Sequence, residues 1–176
     1  MKAVVVYQSL WGSTAAIARA IAEGLGTGAV ALTTNEATPE AIAGANLIVA
    51  GCPVHAFNLP SVATVEQAVA KPVGEKAVVA DSSHRLMRDW LEELHKGSGR
   101  SAAFDTRVRG PLGKGGASKI AARLEGAGYS SLVPREGFFV AMKGAEVTKD
   151  GMLLPGEVDR AREWGRAMAA AMAEAR

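Results

Sequence analysis

Residues 2–25 read KAVVVYQSLWGSTAAIARAIAEGL, and this stretch joins two kinds of pattern. Its first part, over 2–7, is a short run of mostly β-branched apolar residues, which is typical of a strand buried on both faces of a parallel sheet. Over 14–25, isoleucine or leucine recurs every four residues with charged residues between them, which predicts an amphipathic helix. A buried strand joined directly to a helix predicts the first half of a βαβ unit.

The same alternation continues to the end of the chain. Further strands are predicted over 29–32, 46–52, 102–108 and up to residue 140, and further helices over 39–43, 61–70, 86–95, 117–126 and from residue 157. Residues 76–83 could form an additional strand or a connection, and we favour a connection because 102–108 is the better strand pattern. The alternation predicts a three-layer, doubly wound α/β fold around a five-stranded parallel sheet. No linker, repeat or change in composition divides the chain, so residues 1–176 are expected to form a single domain.

Composition excludes several classes of protein. The 20 basic and 18 acidic residues leave a net charge of +2, which is too balanced for a dedicated binder of nucleic acid or membrane surfaces. Cys52 is the only cysteine, which excludes an internal disulfide and a cysteine-based zinc cluster. No apolar run approaches the roughly 20 residues that cross a bilayer, and the run that follows Met1 ends at Gln8, short of a signal peptide. We therefore expect no membrane insertion and a cytoplasmic location.

The loop between the first strand and the first helix is the first candidate site. It consists of Ser9, Leu10, Trp11, Gly12, Ser13 and Thr14. Backbone N–H groups at the start of a helix attract anions, the hydroxyl groups add donors, and a glycine lets the backbone turn closely around a phosphate. The alternative is that Ser13 or Thr14 only caps the helix.

This loop resembles the phosphate loop of the flavodoxin family, which is commonly written T/S-x-T-G-x-T after the first strand. Ser9, Gly12 and Thr14 match that motif, Ser13 occupies the variable position, and Trp11 replaces the usual central threonine. The resemblance implies a sheet with strand order 2-1-3-4-5 and non-covalent binding of FMN. The ligand would then lie at the carboxyl ends of the strands, in the crevice between strands one and three.

The loop after the third strand resembles the segment that flanks the isoalloxazine ring in this family. Its candidate residues are Pro53, Val54, His55, Ala56, Phe57 and Asn58. The resemblance implies that Phe57 stacks on the flavin and that His55 or Asn58 forms a hydrogen bond with the ring. The alternatives are that Phe57 anchors the loop in the core and that His55 orders the loop through a hydrogen bond.

The loop after the fourth strand is the third candidate site. Its candidate residues are Thr106, Arg107, Gly110 and Gly115, and the resemblance implies that its glycines let backbone amides approach the planar ring. This stretch is also basic, which indicates either a solvated surface or a surface that faces an anionic group. Asp105 is expected to pair with Arg107 or to cap the turn.

Few other residues are candidates for chemistry. Cys52 ends a buried strand and is expected to be unreactive, and Trp90 and Trp164 lie on apolar helix faces. His84 and His95 belong to no cluster with metal-ligand spacing, and no G-x-S-x-G motif points to a nucleophilic serine. We therefore assign no catalytic residue and no metal site.

Two functions of different classes are compatible with these residues. The resemblance implies an FMN-binding redox protein that either carries electrons to a partner protein or reduces a small-molecule acceptor such as a quinone, so that its status as an enzyme is open. The chain has a near-neutral charge and only 5% aromatic residues, which differs from the acidic, aromatic-flanked flavin sites of electron shuttles. The alternative is therefore a flavodoxin-fold module that has lost flavin and serves in binding or regulation.

Overall fold

Strands and helices alternate in the computed structural model, which describes residues 1–55, 57–110, 115–141 and 146–175. In chain order the elements are β1 (Ala3–Tyr7), α1 (Ser13–Leu25), β2 (Ala29–Thr33), α2 (Pro39–Ile42), β3 (Leu47–Pro53), α3 (Val62–Val69), α4 (Met87–Glu92), β4 (Arg100–Val108), α5 (Gly116–Gly126), β5 (Ser130–Ser131), β6 (Glu136–Val140) and α6 (Glu157–Glu174). This agrees with the strands and helices predicted from the sequence, apart from a division of the last strand.

All neighbouring strands of the sheet are parallel, in the order β2-β1-β3-β4, and both β5 and β6 pair with β4. β5 pairs with the start of β4 at Arg100 and Ser101, and β6 pairs with its end over 104–108. The two short strands therefore form one interrupted fifth strand. Pro134 lies in the interruption, and a proline lacks the N–H group that a continuous ladder requires. The predicted order 2-1-3-4-5 is confirmed.

The side chains of β1 alternate between two buried layers. Val5 packs in a core with α1 and α6, whereas Val4 and Val6 pack in a core with α4 and α5. Because successive side chains of a strand point to opposite faces, one short apolar strand contributes to both layers. The predicted three-layer arrangement is confirmed, and it brings the ends of β1, β3 and β4 together at one edge.

Residues 76–83 form no strand and belong to the connection between α3 and α4, with a single isolated bridge joining Val73 and Val78. The connection continues across the carboxyl end of β1. Its Asp81 N–H donates to the Leu10 carbonyl oxygen at 2.7 Å, and the N–H of Met87, the first residue of α4, donates to Gln8 Oε1 at 2.9 Å. The connection therefore holds the loop that follows β1.

Membrane-spanning helices, metal-binding groups and a reactive cysteine can each be looked for in the structure. None of the helices in the described ranges is long and apolar enough to cross a membrane. Within the same ranges, no three His, Cys, Asp or Glu side chains form a group that could hold a metal ion. Cys52 is fully buried, and burial raises the pKa of its thiol far above the ordinary value, which agrees with the expectation that it is unreactive.

Candidate functional site

A cleft of about 170 Å³ opens at the carboxyl ends of β1, β3 and β4. Ten of the residues selected from the sequence line it, namely Ser9, Leu10, Trp11, Ser13, Thr14, Pro53, Val54, His55, Thr106 and Arg107. The other lining residues are Val108, Val140, Ala141 and Met152. A larger groove of about 410 Å³ lies between α2 and α4 and contains none of the selected residues. The parallel sheet thus brings the three candidate loops to one edge.

The start of α1 is formed without a capping side chain. Gly12 precedes the helix with a φ of 90°, a left-handed conformation that favours glycine. Ser13 Oγ accepts the Met152 N–H at 2.9 Å, and the Thr14 and Thr106 hydroxyl oxygens lie 2.8 Å apart in a mutual hydrogen bond. Capping by Ser13 or Thr14 is therefore not observed, and both hydroxyl groups bond to residues outside the helix.

Two polar atoms of the cleft-lining residues are buried without a hydrogen-bond partner in the described part of the chain. They are Ser9 Oγ and Trp11 Nε1, and Ser9 as a whole is only 4% exposed. A buried donor without a partner costs about 1–3 kcal/mol, so native proteins contain few of them. Both atoms belong to the loop that leads into α1, where the positive end of the helix dipole favours an anion.

His84 holds the same loop from outside the cleft, and the sequence did not indicate this role. Its Nδ1 atom accepts the Ser9 backbone N–H at 2.9 Å, while its Nε2 atom lies 3.7 Å from Asp81 Oδ2. The Nδ1 atom must be unprotonated to accept, so the neutral ring carries its hydrogen on Nε2. The Ser9 N–H is therefore occupied, and the hydroxyl group is the donor of Ser9 that remains for a ligand.

The loop after β3 contains a tight turn. His55 and Asn58 exchange two backbone hydrogen bonds of 2.9 Å each, and Asn58 Oδ1 accepts the Leu59 N–H. The His55 ring stacks on Trp11 with 6.4 Å between centroids, and burial lowers the pKa of His55. His55 therefore both orders the loop and bridges to the loop after β1, and its side chain is neutral near pH 7.

Phe57 lies outside the cleft lining and is 52% exposed, so it does not anchor the loop in the core. Its φ of 64° is unusual for a bulky residue, and such outliers concentrate at functional sites. Its carbonyl oxygen lies 2.9 Å from where a Cβ atom on Gly115 would be, so the loops after β3 and β4 meet here. Ala56 lies outside the described residues.

Asp105 is fully buried beneath the loop after β4 and uses both carboxylate oxygens. Oδ1 accepts from Arg107 Nη1 at 2.7 Å, and Oδ2 accepts the Ala117 N–H at the start of α5 at 2.9 Å. Burial raises the pKa of Asp105, although the Ala117 N–H and the Arg107 charge oppose that rise. The expected pairing with Arg107 is confirmed, and the same carboxylate holds the start of α5.

The positive charge of this loop is directed mainly away from the cleft. Arg109 lies over the Phe139 ring at 4.9 Å and Arg107 lies 5.8 Å from the same ring. Of the two, only Arg107 lines the cleft, and Asp105 neutralises it. Gly110 has open space around it, and Gly113 and Lys114 lie outside the described residues. The cleft therefore presents mainly neutral donors.

A turn after β6, which no motif in the sequence indicated, closes the cleft on one side. The Ala141 N–H donates to the Met152 carbonyl oxygen at 2.8 Å, and the Met152 N–H reaches Ser13 Oγ. Gly151 has a φ of 68°, and a Cβ atom there would lie 2.3 Å from Ser13 Oγ and 2.7 Å from the Trp11 carbonyl oxygen. The turn packs directly on the start of α1 because this position has no side chain.

Comparison with known proteins supports the fold. No protein-family model matches the sequence, and no curated protein sequence is significantly similar to it. Among solved structures, an archaeal flavodoxin has a TM-score of 0.62 at 17% identity, with 97% of each chain covered. A WrbA-like flavodoxin from Agrobacterium tumefaciens has a TM-score of 0.61 at 18% identity, with 99% of each chain covered. A two-electron reduced flavodoxin from Megasphaera elsdenii has a TM-score of 0.58 at 17% identity, covering 96% of this chain and 98% of its own.

These similarities extend over nearly the whole chain. The protein therefore has the flavodoxin-like α/β fold, and the resemblance read from its phosphate loop is confirmed at the level of the fold. Sequence identities this low establish a shared fold but not a shared ligand.

Proposed function

We propose that the protein binds FMN non-covalently in the cleft at the ends of β1, β3 and β4 and acts in the cytoplasm as a redox protein. The observation that carries this proposal is the pair of buried, unpartnered atoms, Ser9 Oγ and Trp11 Nε1, beside the start of α1. Donors in this arrangement are suited to the oxygens of a phosphate group. One of the solved structures with the same fold is a two-electron reduced flavodoxin.

The donor set of the cleft fits the phosphate end of FMN. Ser9 Oγ and Trp11 Nε1 can each donate one hydrogen, and the first backbone N–H groups of α1 lie at the same loop. The Thr14 and Thr106 hydroxyl groups share one hydrogen bond, so one of their two hydrogens stays available to a ligand. A phosphate would thus be held by neutral donors and the helix dipole.

The ring end of FMN would lie at the rim of the cleft. A volume of about 170 Å³ accommodates a phosphate and its linker but is below the roughly 300–1,000 Å³ of sites that enclose whole ligands. His55 borders the cleft, and Phe57 is exposed beside it on the same loop. Both rings can contact an isoalloxazine that keeps one face open to solvent.

Bound FMN would supply one- and two-electron redox chemistry, while the protein would set its environment. An open ring face suits either electron transfer to a redox partner protein or reduction of a small acceptor such as a quinone. The exposure of Phe57 and the neutral character of the cleft favour the small acceptor, since charge that steers a partner protein is not concentrated there.

The second candidate is a module that has lost flavin and serves in binding or regulation. The observation that favours it is the small volume of the cleft, across which Trp11 and His55 stack. Such a module would hold a small phosphorylated ligand, or none, and would show no flavin absorption.

Reconstitution separates the two candidates. Protein incubated with FMN and freed of excess ligand is expected to retain the visible absorption bands of flavin, which bleach with a chemical reductant and return on addition of a quinone. The double variant Ser9→Ala with Thr14→Ala should lose FMN more than riboflavin, because each hydrogen bond to a charged group contributes roughly 1.5–3 kcal/mol. Retention of no flavin by the wild-type protein favours the second candidate.

A further inference from the structure

We propose that the indole N–H of Trp11 is a phosphate donor and selects phosphorylated over unphosphorylated ligands at this site. This inference rests on the proposed function and makes it more specific, because it assigns one side chain to one group of the ligand. It starts from the unpartnered Nε1 atom of a residue that lines the cleft.

The indole has a single hydrogen-bonding atom, which donates and cannot accept. Trp90 uses this atom in the ordinary way and donates to the Ala37 carbonyl oxygen at 2.8 Å. Trp11 Nε1 is also a buried atom but has no partner in the described ranges. A ligand that satisfies this atom must therefore present an acceptor.

The Trp11 ring is held in place from two sides. It packs against an apolar cluster that includes Leu10 and Val65, and it stacks on His55 with an angle of 29° between ring planes. A ring fixed in this way cannot readily turn its N–H toward water. The donor is thus oriented before the ligand arrives, which lowers the entropic cost of binding.

The groups that surround Trp11 Nε1 favour an acceptor that carries negative charge. Ser9 Oγ is a second unpartnered buried donor two residues away, and the start of the 13-residue helix α1 follows Gly12 directly. Helix dipole and donors together favour a phosphate monoester, whose oxygens are all acceptors at neutral pH. Arg107, the charged residue of the cleft lining, is neutralised by Asp105 and competes little for the same oxygens.

The test uses the indole N–H signals of the ¹⁵N-labelled full chain. The protein has three tryptophans, and the Trp11 signal is assigned as the one lost in Trp11→Phe. Titration with inorganic phosphate should move the Trp11 signal downfield and to saturation, while the Trp90 signal stays in place as an internal control.

Affinity measurements complete the test. Trp11→Phe keeps a ring that can stack on His55 but removes the N–H, so FMN affinity should fall by roughly 10- to 150-fold while riboflavin affinity is unchanged. Trp164→Phe, outside the cleft lining, serves as the matched control and should leave both affinities unchanged. A thermal unfolding curve for each variant shows that the fold is intact.

Each outcome distinguishes this inference from the proposed function. Movement of the Trp11 signal with phosphate supports the inference even if FMN does not bind, a result that would remove only the proposed function. FMN binding without movement of the Trp11 signal, or with equal affinity in Trp11→Phe, would overturn the inference and leave the function standing. Absence of any response to phosphate or FMN would overturn both.

Discussion

The Nδ1 atom of His84 accepts the backbone N–H of Ser9 across 2.9 Å and joins positions 75 residues apart in the sequence. This bond orients the first residue of the loop that leads into α1. The remaining hydrogen-bond donor of Ser9, its hydroxyl group, stays unpartnered and buried. One histidine outside the cleft therefore determines which donor of Ser9 a ligand can use.

Removal of the His84 acceptor should destabilise the fold. His84→Ala leaves the Ser9 N–H buried without a partner, which costs about 1–3 kcal/mol in the free energy of unfolding. His84→Asn places its Oδ1 atom near the position of Nδ1 and should recover at least half of that loss. Urea unfolding of both variants measures the difference, and equal losses would show that the ring packs there without serving as an acceptor.

Ser9→Ala should change stability and ligand binding in opposite directions. The substitution removes a buried hydroxyl group that has no partner in the described ranges, so the ligand-free protein should gain up to about 1 kcal/mol in the free energy of unfolding. Affinity for FMN should fall, because one phosphate donor is lost. Thermal unfolding and fluorescence titration measure the two effects, and a loss of stability in the ligand-free protein would mean that the hydroxyl group is already satisfied.

His55 should make the fold less stable in mild acid. Burial lowers its pKa in the folded protein below the ordinary value of 6.5, so the unfolded chain binds the proton more readily. Stability is therefore full above pH 6.5 and is lost as the pH falls through the lower folded-state pKa, by at most about 1.4 kcal/mol per pH unit for one group.

His55→Phe isolates this contribution. The variant keeps a ring that can stack on Trp11 but cannot bind a proton, so the free energy of unfolding should vary less with pH than in the wild-type protein. Chemical unfolding from about pH 5 to 8 measures the two profiles. Parallel profiles would show that His55 does not titrate differently in the folded and unfolded states.

Gly151→Ala tests the turn that closes the cleft. Its φ of 68° and the 2.3 Å approach to Ser13 Oγ both oppose a Cβ atom. Gly44 has nearly the same φ, 69°, but open space around it, so Gly44→Ala carries the backbone strain without the clash. We expect about 1 kcal/mol of destabilisation at Gly44 and clearly more at Gly151, measured by thermal unfolding. Equal effects would mean that the turn moves aside at little cost.

Much of the fold could be predicted from the sequence because the decisive signals are local. Apolar runs and helical spacing identified the strands of the sheet and the helices on both of its faces. The geometry of parallel strands then indicated that three distant loops lie at one edge of the sheet. The division of the fifth strand was not predicted, because only the end of that strand, at residue 140, was assigned from its apolar residues. Pro134 is a local signal for the interruption, but the pairing of Ser130 and Ser131 with the start of β4 leaves no pattern in the sequence.

The candidate site was less predictable, since several of its contacts connect residues far apart in the chain. His84 meets Ser9 across 75 residues, and Met152 meets Ser13 across 139. Neither contact produces a recognisable pattern of residues in the sequence. Each one depends on a backbone N–H group, and only folding brings that group to its partner. Phe57 was predicted to contact the flavin because its side chain is aromatic. Its exposed position could not be predicted, because it depends on the turn between His55 and Asn58.

A fluorescence titration shows whether the cleft binds FMN through its phosphate group. Ligand-free protein added to FMN should quench the flavin fluorescence to saturation at an equimolar ratio, and riboflavin should be quenched only at a higher protein concentration. Quenching that is equal for FMN and riboflavin would contradict the phosphate site. Fluorescence that stays unchanged with both ligands would contradict the assignment of flavin to this protein.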